Sequence, residues 1–288
     1  MKQAIEDWVN WMHGRRLSLT TVSGYVWELE RLAVKHPALG AFDFRPRHLN
    51  QYLAERRLLD GVGVASSRHT VCALKSFFGY VCGGAKSPAR GLPYPRVPKK
   101  VQRSLSFEQL CAVLAACDTS TPKGKRDVAL MCVLADTGLR ASEVCRLRLA
   151  DVELAGGWLK VVVKGGDEEV GIFTSYTAAQ IGAWLTVRER YAKAEAVTLF
   201  VSLRSGQALT RNGLKTELLK IGARAGVRLC AHMFRRGMAS ITTENGGPSR
   251  LVRDQGRWHT EAMFEQYSRY ARLEGLRRFL PLAGLMTP

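Results

Sequence analysis

Residues 232–235 read His-Met-Phe-Arg, and the chain then continues to Trp258 and Tyr267. Far upstream, residues 137–143 read Thr-Gly-Leu-Arg-Ala-Ser-Glu. A guanidinium carries a rigid fork of donors, so the two arginines in these stretches can clamp a phosphodiester and neutralise the charge that builds as it is attacked. A tyrosine phenol can make that attack and store the bond energy as a covalent phosphotyrosine. The pattern indicates cleavage and rejoining of a nucleic acid strand.

These motifs resemble those of the tyrosine recombinase (phage integrase) family, and the resemblance covers nearly the whole chain. The first arginine motif of the family matches residues 137–143, its hairpin lysine matches Lys164, and its His-x-x-Arg box matches residues 232–235. The family also places a His or Trp nine residues before its nucleophile, and Trp258 and Tyr267 have that spacing. Each motif alone occurs by chance, whereas their shared order and spacing indicate the family.

The resemblance implies a role for each main catalytic residue. Tyr267 would attack the scissile phosphate and leave a 3′-phosphotyrosine and a free 5′-hydroxyl. Arg140 and Arg235 would hold the non-bridging oxygens through the transition state. Lys164 would protonate the departing 5′-oxygen.

Three further residues support this chemistry in the same interpretation. His232 would accept the tyrosine proton or bind the phosphate, and the Trp258 indole would donate a hydrogen bond. Glu143, three residues after Arg140, would orient the site groups from behind them. The chain departs from many members at Arg236, where they carry a second histidine.

Two assignments have competitors in the sequence. Tyr270 lies three residues after Tyr267, and Lys160 lies on the same predicted hairpin as Lys164. The hairpin turn at 165–169 reads Gly-Gly-Asp-Glu-Glu, where many members are basic. Taken singly, each site residue also has an ordinary structural explanation, as a core or surface side chain.

The net charge points to a polyanionic partner. The 288 residues include 43 Lys and Arg against 25 Asp and Glu, which gives +18 and a pI near 10.0. Residues 1–103 hold 17 of the basic and 7 of the acidic residues, a net of +10, and the rest of the chain carries +8. Double-stranded DNA gripped by two domains is the expected partner, and the alternatives are a solubility surplus or an RNA-associated protein.

The predicted fold is mostly α with a small β-hairpin or sheet, in a two-domain tyrosine recombinase architecture. Residues 1–90 predict a helical core-binding domain with four helices, and residues 91–103, with three prolines and four basic residues, predict an extended linker. Residues 104–288 predict a mixed α/β catalytic domain that starts at a Ser-x-x-Gln capping box at 106–109. Within it, runs at 158–163 and 169–173 predict the hairpin. Helices are expected at 175–192, 210–225, 232–244, 248–256 and 260–271.

Other classes of site are disfavoured by the sequence. The six histidines are scattered and no carboxylate cluster has metal-ligand spacing, so no metal is expected. No Walker motif is present, and no cofactor is expected, because phosphotyrosine exchange conserves the phosphodiester energy. The seven cysteines form no Cys-x-x-Cys pair and predict buried thiols. With no signal peptide and no apolar run of about 18 residues, a cytoplasmic location without membrane contact is expected.

The function that the resemblance implies is site-specific DNA recombination by a homotetramer that passes through a Holliday junction. Because the chain starts directly with the core-binding domain, a simple integrase of a phage or mobile element, or a chromosome-dimer resolvase, is favoured over an arm-binding integrase. A type IB topoisomerase and a non-enzymatic DNA-binding regulator are the alternatives. The apolar tail at 276–285 would pack onto a neighbouring protomer or fold back on its own domain.

Overall fold

The computed structural model describes residues 1–98, 104–163, 166–261 and 264–265. The chain forms two compact units, Met1–Lys100 and Val101–Pro288, and each unit has its own cluster of buried apolar side chains. Most described residues in regular structure are helical, and the strands form one three-stranded sheet. The prediction of a mostly helical chain with a small β element is confirmed.

The first unit is a group of amphipathic helices around an aromatic core. The helices are α1 (Lys2–Gly14), α2 (Leu19–Lys35), α3 (Pro46–Leu58) and α4 (Val64–Cys82). Ser18 begins α2 by accepting a hydrogen bond from the Thr21 amide at 3.3 Å. Trp8 is fully buried and meets Phe77 edge-on at a centroid distance of 5.3 Å, so α1 is fixed against α4.

The start of the predicted linker lies along α4. Residues 91–98 contain neither helix nor strand, and residues 99–103 of the predicted linker lie outside the described residues. The Tyr94 ring has the Lys75 ammonium 4.5 Å and the Arg68 guanidinium carbon 5.2 Å from its centroid. These contacts place two cations of α4 beside the segment that leaves the first unit.

The second unit alternates helices with a small antiparallel sheet. Its elements are α5 (Phe107–Ala115), α6 (Pro122–Thr137), α7 (Ala141–Val144), β1 (Val152–Glu153), β2 (Trp158–Val162), β3 (Glu168–Ile172), α8 (Ser175–Arg188), α9 (Arg211–Arg224), α10 (Ala231–Glu244) and α11 (Ser249–Gln255). Helix α6 is buried along most of its length and packs against α8 and α10. The predicted capping box is confirmed, because Ser106 and Gln109 exchange their side-chain and backbone hydrogen bonds at 3.2 Å.

The sheet has the order β1-β2-β3, and both pairs are antiparallel. In the hairpin, Trp158 pairs with Ile172 at one end and Val162 pairs with Glu168 at the other. Alternation along β2 buries Leu159 and Val161 against the core while their neighbours face outward. The predicted hairpin is therefore present, and β1 adds a strand that the sequence did not indicate.

The cysteines differ in part from the expectation. All seven lie in the described residues, and none of them is disulfide-bonded. Cys117, Cys132 and Cys145 are buried as predicted, whereas Cys111 and Cys230 are exposed. The prediction of buried thiols is wrong for these two, because Cys111 lies on the outward face of α5 and Cys230 is the residue that begins α10.

Among the described residues, no helix combines the length and the apolar character needed to cross a lipid bilayer.

Candidate active site

The turn that carries Arg140 is formed by a glycine. Helix α6 ends at Gly138, which has φ 59° and ψ 26° and donates its amide to the Leu134 carbonyl at 3.1 Å. A Cβ at this position would lie 2.7 Å from Cε of Met238. Glycine therefore satisfies both the left-handed backbone and the close approach of α10, and the chain turns so that Arg140 begins α7.

Glu143 holds Arg140 at two points. Its carboxylate accepts the Arg140 backbone amide at 2.8 Å and the Arg140 Nη1 at 2.7 Å. Glu143 is only 3% exposed, whereas the Arg140 side chain is 41% exposed. One corner of the guanidinium is thus fixed by a buried carboxylate while the side chain reaches the surface, which suits a group that must meet a phosphate in a fixed orientation.

Three side chains hold the backbone just before this turn. The carbonyls of residues 136–138 are consecutive and lie at the end of α6, where a helix leaves its last carbonyls without intrahelical partners. Gln255 Nε2 donates to the carbonyl of residue 136 at 2.8 Å, and Arg257 Nη2 donates to that of residue 137 at 2.8 Å. Arg235 Nη1 donates to the carbonyl of residue 138 at 2.6 Å. Two of the three donors are cations, which also complement the negative end of the helix dipole.

Arg235 is a buried member of the site. It is 1% exposed, and besides its bond to the α6 end it donates to the Gly256 carbonyl. Its guanidinium carbon lies 4.6 Å from the Trp258 ring centroid, and that ring packs against Phe264 at 5.8 Å. A Cβ at Gly256 would lie 1.8 Å from Cζ3 of Trp258. The Trp258 ring therefore requires a glycine at 256, and it fixes the plane on which Arg235 lies.

His232 lies at the surface on the first turn of α10. Its pKa is lowered from 6.5 to about 4, first because part of the imidazole is removed from water and then because Arg236, Arg235 and Arg140 are positively charged. The imidazole is consequently neutral at pH 7. A neutral imidazole has a lone pair that can accept a proton from a phenol.

Of the two hairpin lysines, only Lys160 lies within the described residues. Lys160, on β2, lies 3.1 Å from the Glu168 carboxylate and 3.9 Å from that of Asp151. Lys164 and Tyr267 lie outside the described residues, so their predicted positions stay predictions. The described part of the site brings together five predicted residues: Arg140, Glu143, His232, Arg235 and Trp258.

The comparison with protein families gives a match for more than half of the chain. The model of the phage integrase family matches residues 103–273, a range that contains every predicted site residue. The tyrosine recombinase XerD of Listeria monocytogenes is 30% identical over 275 residues, which covers 88% of this chain and 89% of that protein. The chain belongs to the phage integrase family. The predicted enzyme class, a tyrosine recombinase that cleaves and exchanges DNA strands, is confirmed.

A second relative and two solved structures agree with this membership. The XerC recombinase of Actinobacillus pleuropneumoniae is 29% identical over 199 residues, and the match spans 67% of this chain and 64% of that protein. A XerH site-specific recombinase bound to a palindromic difH substrate has a TM-score of 0.73 at 20% identity, covering 92% of this chain and 81% of that one. A lambda integrase tetramer bound to a Holliday junction has a TM-score of 0.71 at 14% identity, covering 92% and 76%. These structures show that the recombinase has the fold of this family.

Two residues of the site were missed by sequence reasoning. Gln255 binds the α6 end and also pairs with Ile172 of β3, accepting its amide at 3.2 Å and donating to its carbonyl at 2.7 Å. Arg257 binds the neighbouring carbonyl from a buried position. Neither residue lies in a motif, and a polar residue at the end of a short helix is usually solvated, so the sequence contained no signal for them.

No group of three or more His, Cys, Asp or Glu residues in the described ranges is arranged to hold a metal ion.

The lowered pKa of His232 predicts a pH effect on folding stability. Between pH 6.5 and about 4 the unfolded chain binds a proton at His232 that the folded chain does not, so the stability lost through this residue grows as the pH falls. Thermal unfolding without DNA is expected to show His232→Gln gaining on the parent chain as the pH is lowered through this window. If the difference in Tm between the two proteins is the same at pH 7 and pH 4.5, the imidazole is not held neutral.

Proposed function

We propose that this recombinase is a site-specific DNA recombinase that works through a 3′-phosphotyrosine intermediate. Tyr267 attacks the scissile phosphorus, the P–O bond to the 5′-oxygen breaks, and that oxygen takes a proton from Lys164. The covalent step is reversible because a phosphodiester to tyrosine replaces a phosphodiester to sugar. The observation that carries the proposal is the Arg140 turn, which fixes a guanidinium at the surface against the buried Glu143.

The two arginines contribute in different ways. Arg140 has one donor on Glu143 and a partly exposed side chain, so its remaining donors are directed to the non-bridging oxygens. Arg235 donates to the carbonyls of Gly138 and Gly256, so it holds the Arg140 turn and the turn before Trp258 in one arrangement. In the proposed reaction it also stabilises the charge on the phosphate. Because a buried cation of this kind is already fixed in place, little reorganisation is needed as negative charge develops on the phosphate in the transition state.

His232 accepts the phenol proton of Tyr267 in this mechanism. Its neutral state at pH 7 leaves it able to do so, and two of the three cations that lower its pKa, Arg235 and Arg140, are the ones that meet the phosphate in this proposal. Once the phosphate anion is bound, its charge opposes theirs, and the imidazole becomes a better proton acceptor. Substrate binding and proton acceptance are therefore coupled through the same charges.

The proposed partner is double-stranded DNA, bound by both compact units. Positive charge is spread over the whole chain, at +10 for residues 1–103 and +8 for the rest. Arg68, Lys75 and the linker residue Tyr94 form a cationic and aromatic group in the first unit that suits a phosphate backbone. The similarity to a tetramer of lambda integrase on a Holliday junction supports a homotetramer that exchanges strands between two duplexes.

Within this function, the names of the relatives favour one subtype. They are called XerC and XerD, which fits the alternative of a chromosome-dimer resolvase better than the simple integrase of a phage or mobile element. The subtype is decided by the target. A site that occurs once in the host chromosome supports a resolvase, and a site at the ends of a mobile element supports an integrase.

The experiment is covalent capture of the target from a pool of DNA. Duplexes with a random central sequence carry a nick near the potential cleavage site, so that the released fragment diffuses away and the phosphotyrosine is trapped. Adducts are isolated on a denaturing gel and sequenced. A single enriched sequence is the expected result. Adducts without sequence preference, together with relaxation of supercoiled plasmid, would indicate a type IB topoisomerase, and DNA binding without any adduct would indicate a regulator.

A further inference from the structure

Arg257 occupies an unfavourable position in the second unit. Its backbone has φ 52°, a left-handed value that L-residues other than glycine rarely adopt. The residue is 4% exposed, so a guanidinium is removed from water beside the cations of the site. Burial, followed by the charge of Arg140, lowers its pKa against the opposing effect of Glu143 and Glu169. Backbone strain and a buried charge at one residue are features that persist where the surroundings fix them, and they cluster at functional sites.

The guanidinium is only partly satisfied. Nη2 donates to the Thr137 carbonyl at 2.8 Å, while Nε and Nη1 have no hydrogen-bond partner among the residues that the structure describes. Charged groups with unmet donors are costly to bury. An apolar side chain would fill this space at a lower cost, so packing alone does not explain the arginine. The hydrogen bond to the Thr137 carbonyl is the contact that an apolar side chain could not make.

Thr137, the acceptor of that bond, lies three residues before Arg140. Thr137 is the last residue of α6, and its carbonyl lies between those bound by Gln255 and Arg235. On its other side, Arg257 faces β3. A Cβ added to Gly171 would lie 3.2 Å from Arg257 Nη1, so the guanidinium occupies the space beside the strand that a side chain at 171 would need.

We propose that Arg257 is a positioning residue, which locks the end of α6 against β3 and thereby fixes the direction of the Arg140 guanidinium. It acts on the non-bridging oxygens through Arg140 and does not touch the DNA itself. This inference rests on the proposed function, because the residue that Arg257 positions, Arg140, binds the scissile phosphate in that proposal.

The test uses Arg257→Gly in the full chain. Glycine adopts φ 52° without strain and removes the buried charge, so the Tm is expected to stay within about 4 °C of the parent. DNA affinity is expected to be unchanged, whereas single-turnover cleavage of the captured target is expected to fall by about 10–100-fold, the loss that is typical when a partner that orients a metal ligand is removed. Arg257→Lys keeps a donor that can reach Thr137, and it is expected to recover part of the rate.

Arg253→Ala is the matched control. It removes a cation from α11, and Arg253 is paired only with the adjacent Asp254, at 3.8 Å, among the described residues. This variant is expected to cleave at the parental rate, which separates the loss of a specific contact from the loss of one positive charge.

A substrate with sulfur in place of the bridging 5′-oxygen identifies the group through which Arg257 acts. Sulfur leaves without a proton, so it relieves a defect in leaving-group protonation and leaves a defect at the non-bridging oxygens in place. Arg257→Gly is expected to stay slow on this substrate. Restored cleavage would overturn the proposal, because Arg257 would then act through the hairpin. A parental rate on the ordinary substrate, or a parallel loss of rate and Tm, would overturn it as well. If the parent chain itself forms no adduct, the proposed function fails instead.

Discussion

Tyr267→Phe is expected to reduce covalent DNA adducts below detection while DNA binding is unchanged. Phenylalanine keeps the ring and removes the only atom that can bond to phosphorus, so the loss is chemical and not structural. The measurement is single-turnover reaction with a nicked target duplex, followed by a denaturing gel. A binding assay on the same duplex provides the comparison. Among single substitutions in the chain, Tyr267→Phe should have the largest effect on adduct formation.

Tyr270→Phe is the matched control, because Tyr270 lies three residues further on and carries the same phenol. Trp258 is nine residues before Tyr267 and twelve before Tyr270, and only the first spacing fits the family. Tyr270→Phe is therefore expected to form adducts at close to the parental yield. An adduct that persists in Tyr267→Phe and disappears in Tyr270→Phe would reverse the assignment.

The helices were predictable where local patterns agree with the packing. The expected helices at 210–225 and 232–244 correspond to α9 at Arg211–Arg224 and α10 at Ala231–Glu244. The helix expected at 175–192 instead ends at Arg188. Its guanidinium donates to the carbonyls of Ala196 and Thr198 at 2.6 Å. These contacts, with carbonyls eight and ten residues further along the chain, leave no periodic pattern in the sequence that would mark the end of the helix.

The strands show the same limit. The hairpin of β2 and β3 was visible because two β-rich runs flank a glycine turn. Strand β1 has two residues and pairs with β2 through Val152 and Leu159. Two residues are too few to show the alternation that identifies a strand, and this strand exists only because β2 offers it an edge.

The sequence predicted which residues form the site, but it did not predict the side chains that hold them in position. The sequence placed Arg140 and Arg235 together as equal partners of a phosphate. The structure distinguishes them, since Arg140 reaches the surface and Arg235 is buried on two backbone carbonyls. The family pattern marks the groups that touch the reaction. The side chains that hold the turn, Gln255 and Arg257, come from a segment more than a hundred residues away and follow no periodicity.

Lys164→Ala is expected to lower cleavage by about 100–10,000-fold on an ordinary substrate, the usual contribution of a general acid. Replacing the bridging 5′-oxygen with sulfur should restore the rate, because a thiolate leaves without being protonated. Single-turnover cleavage of the two substrates, compared for each variant, is the measurement.

Lys160→Ala tests the competing lysine in the same pair of assays. The Lys160 ammonium is engaged by the carboxylates of Glu168 on β3 and Asp151 just before β1, so its removal is expected to have little effect on either substrate. Arg140→Ala completes the comparison. Its role concerns the non-bridging oxygens, which the sulfur does not replace, so a loss of about 100–1,000-fold should remain on both substrates. If sulfur rescues Lys160→Ala and leaves Lys164→Ala inactive, the two lysines exchange roles, and the ion pairs of Lys160 must open when DNA binds.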